Sequence, residues 1–245
     1  MHSKFSTQKE LRILAVVFDS YLEPWEIPKF RGAMAHKVGL EHDWFHNHKT
    51  LDNPTSFHYR YPLIQYKLDK NHPMLICIDK GVEEAQRFFA QADWTLMIGN
   101  KRHQMHLKSL EIKQFSLQIL QQKREYRIHN WLALNQENYN KYQELERLSE
   151  KLDFLEPILI GHILSFAEGV AWQVSSPIEL CITDLLDTRW IEHKKVKRLA
   201  FNLHFKCNVF IPNFIGLGKS CSQGLGVIKE NRIYPKTVKK KRSRL

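Results

Sequence analysis

The sequence predicts an α+β protein of two tandem ferredoxin-like (βαββαβ) domains. Three observations predict it. Short apolar strands alternate with two helical stretches over the first hundred residues, a proline falls where only an edge strand tolerates one, and a second run of strands and helices closes on a glycine-rich loop. The chain has 245 residues, enough for two small domains, and 43% of them are hydrophobic, enough to bury a core.

Leu11 to Asp19 is β-branched and apolar and reads as a buried strand. From Ile27 the period changes: Ile27, Phe30, Met34 and Val38 recur at helical spacing, with Pro28 in the first turn and Gly39 at the end. Lys29, Gly32 and His36 fall on the opposite face of that helix. A polar, histidine-rich segment runs from Glu41 to Asn53. Phe57 to Tyr66 alternates as a strand, and Pro62 inside it places it at a sheet edge. Met74 to Asp79 follows through a turn at Asn71-His72-Pro73, then a helix from Gly81 to Ala92 and a strand from Trp94 to Ile98. The order is β-α-β-β-α-β.

In the second half, Leu107 to Leu120 and Tyr126 to Leu134 read as a hairpin around Gln121-Gln122-Lys123. Helices are expected over Gln136 to Ser149 and Asp153 to Trp172, and strands over Ile178 to Trp190, Val196 to Val209 and near Val227. The expected boundary lies at residues 115 to 122, dividing the chain into 1–115 and 116–245. The longest apolar stretch, Phe154 to Trp172, is interrupted by Glu156, His162 and Glu168, which argues for a buried helix rather than a membrane span.

The formal charge of +11 is strongly basic. Six charges lie at the end of the chain, on Lys236, Lys239, Lys240, Lys241, Arg242 and Arg244, and removing them still leaves +5. A second basic run contains His193, Lys194, Lys195, Lys197 and Arg198. Such surfaces attract polyanions, nucleic acid above all. Four cysteines without a CxxC pair fit a reducing, cytoplasmic setting and exclude a cysteine-based zinc site, and Ser3 to Glu10 is too polar for a signal peptide.

Gly216 to Gly226 reads Gly-Leu-Gly-Lys-Ser-Cys-Ser-Gln-Gly-Leu-Gly and holds four of the ten glycines. Lys219-Ser220 follows a Gly-x-Gly, but no amphipathic helix comes after it, which excludes a P-loop and a dinucleotide fingerprint. Two readings remain: a tight turn joining strands, or a backbone concavity whose N–H groups receive a phosphate.

Two ferredoxin-like units ending in Gly-apolar-Gly-x5-Gly-apolar-Gly resemble the RAMP superfamily of CRISPR-associated proteins. Within it the chain is similar to the endoribonucleases that cut precursor CRISPR RNA in its repeats. Ile27-Pro28-Lys29-Phe30-Arg31-Gly32, Phe45-His46-Asn47-His48 and Tyr59-Arg60-Tyr61-Pro62-Leu63-Ile64-Gln65-Tyr66-Lys67 agree with one branch of that family. The resemblance implies metal-independent cleavage by 2′-hydroxyl attack, leaving a 2′,3′-cyclic phosphate and a 5′-hydroxyl. It implies repeat RNA as partner, with a CRISPR interference complex as a further one; a homodimer is an additional candidate state. A catalytically silent RNA-binding subunit of such a complex is the alternative, and an unrelated basic RNA chaperone is a third reading.

This reaction needs a base for the 2′-hydroxyl proton, an acid for the leaving 5′-oxygen, and donors around the phosphorane. Histidine suits both proton transfers. His46 and His48, two residues apart, lead the candidates, followed by His42 and His36; the bland reading is that they bond only locally. A metal site of His42, His46 and His48 with Asp43 or Asp52 lacks standard ligand spacing, so neither metal nor other cofactor is expected. Lys37 and Lys49 flank the histidines, Arg31 adjoins Gly32, and His58 and Arg60 share a strand face. These five, with Lys195, Lys197, Arg198, Gly216, Gly218, Lys219, Gly224 and Gly226, are the candidate RNA contacts. Tyr59 and Tyr61 read as core residues or as groups orienting the nucleophile.

Overall fold

The computed structural model describes residues 8–39, 42–46, 61–193 and 195–231. In chain order the elements are β1 (Lys9–Phe18), α1 (Ile27–Val38), α2 (Asp43–His46), β2 (Ile64–Asp69), β3 (His72–Ile78), α3 (Lys80–Phe89), β4 (Thr95–Ile98), β5 (Lys101–Gln104) and β6 (Leu107–Leu117). They continue as β7 (Ile119–Trp131), α4 (Gln136–Glu144), α5 (Leu148–Gly169), β8 (Leu180–His193), β9 (Val196–Val209) and β10 (Val227–Glu230). Two antiparallel four-stranded sheets result, ordered β2-β3-β1-β6 and β10-β7-β9-β8, with β4 and β5 as a separate hairpin. This is the tandem ferredoxin-like architecture expected.

Three expectations about elements are corrected. The fourth strand of the first sheet is β6, not Trp94 to Ile98. That short run folds onto β5 around Gly99 at φ +62, whereas the eleven residues of β6 pair along the whole of β1. Leu107 to Leu120 and Tyr126 to Leu134 do not form a hairpin, because β6 and β7 belong to different sheets and part at Gln118. Gln121-Gln122-Lys123 is exposed and lies at a register shift inside β7, which gives it the composition of a turn. Pro62 precedes β2 instead of sitting within it; residues 57–60 lie outside the described residues. The strand it introduces is at the sheet edge, as read.

Burial explains the layering. Val16, Phe18, Phe30, Met34, Tyr66, Leu75 and Phe88 pack α1 and α3 onto one face of the first sheet. The other face, through Leu11, Ile13, Met74, Ile76 and Ile78, joins a core that continues into α5 and the second sheet through Leu155, Leu159, Phe166, Phe201 and Phe205. The two sheets therefore share one apolar core.

Candidate functional site

His36 lies on α1, and His42 and the backbone of His46 follow it. Ile27, Phe30, Met34, Ala35 and Val38 bury one face of this helix, leaving Lys29, Gly32 and His36 exposed on the other. Gly39, at φ 112, ends it with its N–H donating to Ala35 O. His42 is half-buried, and its N–H donates to Gly39 O at 3.1 Å. Phe45, 1% exposed, then anchors α2 in the helical core. Its carbonyl accepts from Tyr66 Oη at 3.1 Å and faces Arg31 Nε at 3.5 Å. Arg31 is thus held against the seat of α2, where burial lowers its pKa and the coupling to Tyr66 opposes that shift. His46 follows Phe45 in α2; its side chain lies outside the described residues, as do His48, Lys49, His58 and Arg60 entirely. Lys37 pairs with Asp93 at 3.2 Å, so its charge is locally offset. Tyr61 is buried at the seam between the sheets, donating to Gly216 O at 2.8 Å and accepting from Gln65 Nε2 at 2.7 Å.

The glycine loop is a brace between the two halves. Tyr66 N–H donates to Ser222 O at 2.8 Å, Gly216 N–H donates to Gln65 Oε1 at 3.0 Å, and the loop adds a bridge to the free edge of β2 at Gln223. Lys67, 1% exposed, donates to Cys221 O at 3.2 Å. Burial lowers its pKa to about 8. The phosphate-cradle reading is corrected for five donors: the N–H groups of Gly216, Leu217, Lys219, Gln223 and Gly226 all bond within the protein. Close packing makes the glycines necessary instead. A Cβ on Gly226, at φ +61, would lie 1.8 Å from Leu217 O, and one on Gly224, at φ +78, would lie 2.5 Å from Ile27 Cδ1. That second contact brings the loop against the first turn of α1, on the helix that carries His36.

Lys219 reaches Leu134 O at 3.1 Å, and its pKa is lowered by burial and then by the charge of Arg198. Beside it His162 accepts from Trp131 Nε1 at 3.1 Å. Burial first, and Lys219 second, lower the His162 pKa to about 4, so this ring is neutral near pH 7. Lys195 and Lys197 are exposed and Arg198 is half-buried, around the tip of the β8–β9 hairpin; the side chains of His193 and Lys194 lie outside the described residues.

Sequence reasoning missed a further basic group on the open face of the second sheet. Arg127 is exposed and His129 half-buried, alternating with buried Tyr126 and Ile128, and Arg127 registers with His204 on β9 and Lys229 on β10. Arg189 Nη2 lies 3.4 Å from His129 Nε2. Burial, then Arg189 and Arg127, lower the His129 pKa, as a patch of concentrated positive charge must. The period-two alternation of Arg127 and His129 was the available signal. Among the described residues no three His, Cys, Asp or Glu side chains converge to hold a metal, and no helix is long and apolar enough to cross a membrane.

Two ferredoxin-like sheets braced by a Gly-apolar-Gly loop define the RAMP class of CRISPR-associated proteins. The Cas6b N-terminal domain family matches residues 9–116 and the Cas6b C-terminal domain family matches residues 118–231. The chain belongs to the Cas6b family. A crystal structure of Cas6b superposes with a TM-score of 0.79 at 23% identity, covering 91% of this chain and 100% of that one. A second, described as the CRISPR RNA processing endoribonuclease Cas6b, gives 0.66 at 21% identity over the same shares. Uncharacterized protein MJ0978 of Methanocaldococcus jannaschii is 34% identical over 101 residues, which are 41% of this chain and 67% of that protein.

Proposed function

We propose that this chain is the endoribonuclease that cleaves precursor CRISPR RNA within its repeat, by metal-independent transesterification. The observation that supports the reading is the packing of α2, the described end of the histidine-rich segment. In a Cas6b-family fold, Phe45 docks α2 beside α1, and the glycine loop bridging the two sheets packs against the same helix. The 2′-oxygen attacks the neighbouring phosphorus as its proton passes to one imidazole. The P–O5′ bond breaks as a second group protonates the leaving oxygen. A 2′,3′-cyclic phosphate and a 5′-hydroxyl result, with no water consumed. His46 and His48 are the first candidates for these transfers, with His42 and His36 next; Arg31 and Lys49 are candidates to face the developing charge.

RNA is held in this reading by Arg127, Arg189 and Lys229 on the open sheet, and by Lys195, Lys197 and Arg198 at the hairpin. The glycine loop contributes by fixing the two units at one spacing rather than by donating to phosphate. Residues 1–115 then carry the chemistry and 116–245 most of the positive surface. The test is incubation of the protein with the repeat RNA of its own host in EDTA, with both product ends mapped. Binding without cutting is the result expected of a silent subunit.

A further inference from the structure

The tip of the β8–β9 hairpin carries an aromatic pocket that the cleavage site does not use. Trp190 is 58% exposed, and its ring meets Tyr139 of α4 at 6.0 Å between centroids and 64° between planes. Tyr139 therefore supports the indole and leaves much of it open. Lys197 and Arg198 line the same pocket, and so does Leu134, whose carbonyl accepts from Lys219 Nζ at 3.1 Å. An open indole thus shares its pocket with two cations, and a third, Lys219, is bonded to the pocket's Leu134. Two acids are nearby: Glu192 registers opposite Lys197, and Glu137 of α4 is paired with Lys141 at 2.7 Å. The positive balance remains.

We propose that this pocket takes an unpaired nucleobase of bound RNA, stacked on Trp190, with the adjoining phosphate facing Lys197 and Arg198. The proposal rests on the reading that the chain binds RNA. An aromatic platform bordered by cations matches the two chemically distinct parts of a nucleotide, the π-face and the phosphate. A purely apolar protein contact would have no use for Lys197 and Arg198. Stacking accepts any base, so the subsite selects for single-stranded character rather than for sequence. Its place at the hairpin tip suits a flank of the repeat that is not base-paired.

The test compares a single-stranded oligoadenylate about a dozen nucleotides long with a blunt RNA duplex of equal length. Trp190→Ala should weaken oligoadenylate binding about tenfold, the scale of one lost stacking contact. Duplex affinity should stay within about twofold, and Trp190→Phe should retain most of the single-strand affinity. Unchanged oligoadenylate binding by Trp190→Ala, or an equal loss on both RNAs, overturns the proposal. A variant that leaves RNA affinity intact but converts a dimer to a monomer in size-exclusion chromatography also overturns it, since the face is then a protein contact. Should Trp190→Ala fail to fold, photocrosslinking of wild-type protein to 5-iodouridine RNA decides. A crosslink at Trp190 supports the pocket, and crosslinks confined to other residues refute it. Failure of the wild type to cut repeat RNA, with Trp190-dependent binding intact, refutes the proposed function alone.

Discussion

In the proposed reaction single residues carry the proton transfers, and the four candidate histidines can be separated by substitution. His46→Ala or His48→Ala should slow single-turnover cleavage of repeat RNA by about 10²-fold or more, the scale of a lost general acid or base. Affinity should stay within a few-fold, because one imidazole adds little beside the many lysines and arginines whose charges dominate RNA binding. His36→Ala, on the exposed face of α1, and His42→Ala, at the root of α2, are the comparisons. Wild-type rates for the first pair together with a dead His36 or His42 variant would move the site to that histidine. Composition and spacing made the histidine cluster legible, because charge and histidine density are local properties of the chain. They could not show that Phe45 is the anchor. Its carbonyl partners, Arg31 and Tyr66, lie 14 and 21 residues away in sequence. Nor could local pattern show that Lys37 is held by Asp93, whose partnership depends on α1 meeting the β4 hairpin.

At the scale of elements, the glycine loop and β2 form one unit whose geometry allows two predictions. Gly226→Ala should lower the thermal midpoint sharply or prevent folding. A positive φ alone costs about 1–2 kcal/mol, and the added methyl would also collide with Leu217 O at 1.8 Å. Gly32→Ala is the control: a Cβ there meets nothing within 4 Å. Alanine in a helix gains about 1 kcal/mol over glycine, so that variant should melt higher. Lys67 gives the second prediction. Its pKa of about 8 lies below the 10.5 of a free lysine, so the unfolded chain binds more protons between those values. The contribution of Lys67 therefore becomes more favourable as pH rises through 8 towards 10.5, by roughly 3 kcal/mol over the full window. The melting temperature of the wild type relative to Lys67→Met should rise from pH 7 to 10; a difference that stays constant across that range would refute the lowered pKa of Lys67. Apolar periodicity revealed α1 and α3 because each buries one face, and unbroken apolar runs revealed β1 and β9 because both of their faces are largely covered. Exposed strands were the harder ones. Most of β6 and the start of β7 are exposed, so burial imposes no pattern there, Gln121-Gln122-Lys123 looked like a turn, and the sheet exchange at Gln118 has no local signature.

For the whole molecule, the shared core and the loop brace tie the two sheets into one unit, so that histidines from one half and cations from the other can address a single RNA. The glycine motif pointed to the correct family, while of its two physical readings the turn is the one that uses the five N–H donors spent inside the protein. Recognition of a motif and its mechanism are separate inferences. The central claim is cleavage of repeat RNA through the substrate's own 2′-hydroxyl. The most direct test is a single-turnover assay in EDTA on two repeat RNAs, one unmodified and one with a single 2′-deoxy nucleotide at the scissile position. The account predicts cutting of the first with a 2′,3′-cyclic phosphate end, and no cutting of the second at that site. Cleavage of the 2′-deoxy RNA at the same position, or activity abolished by EDTA and restored by a divalent cation, would contradict it.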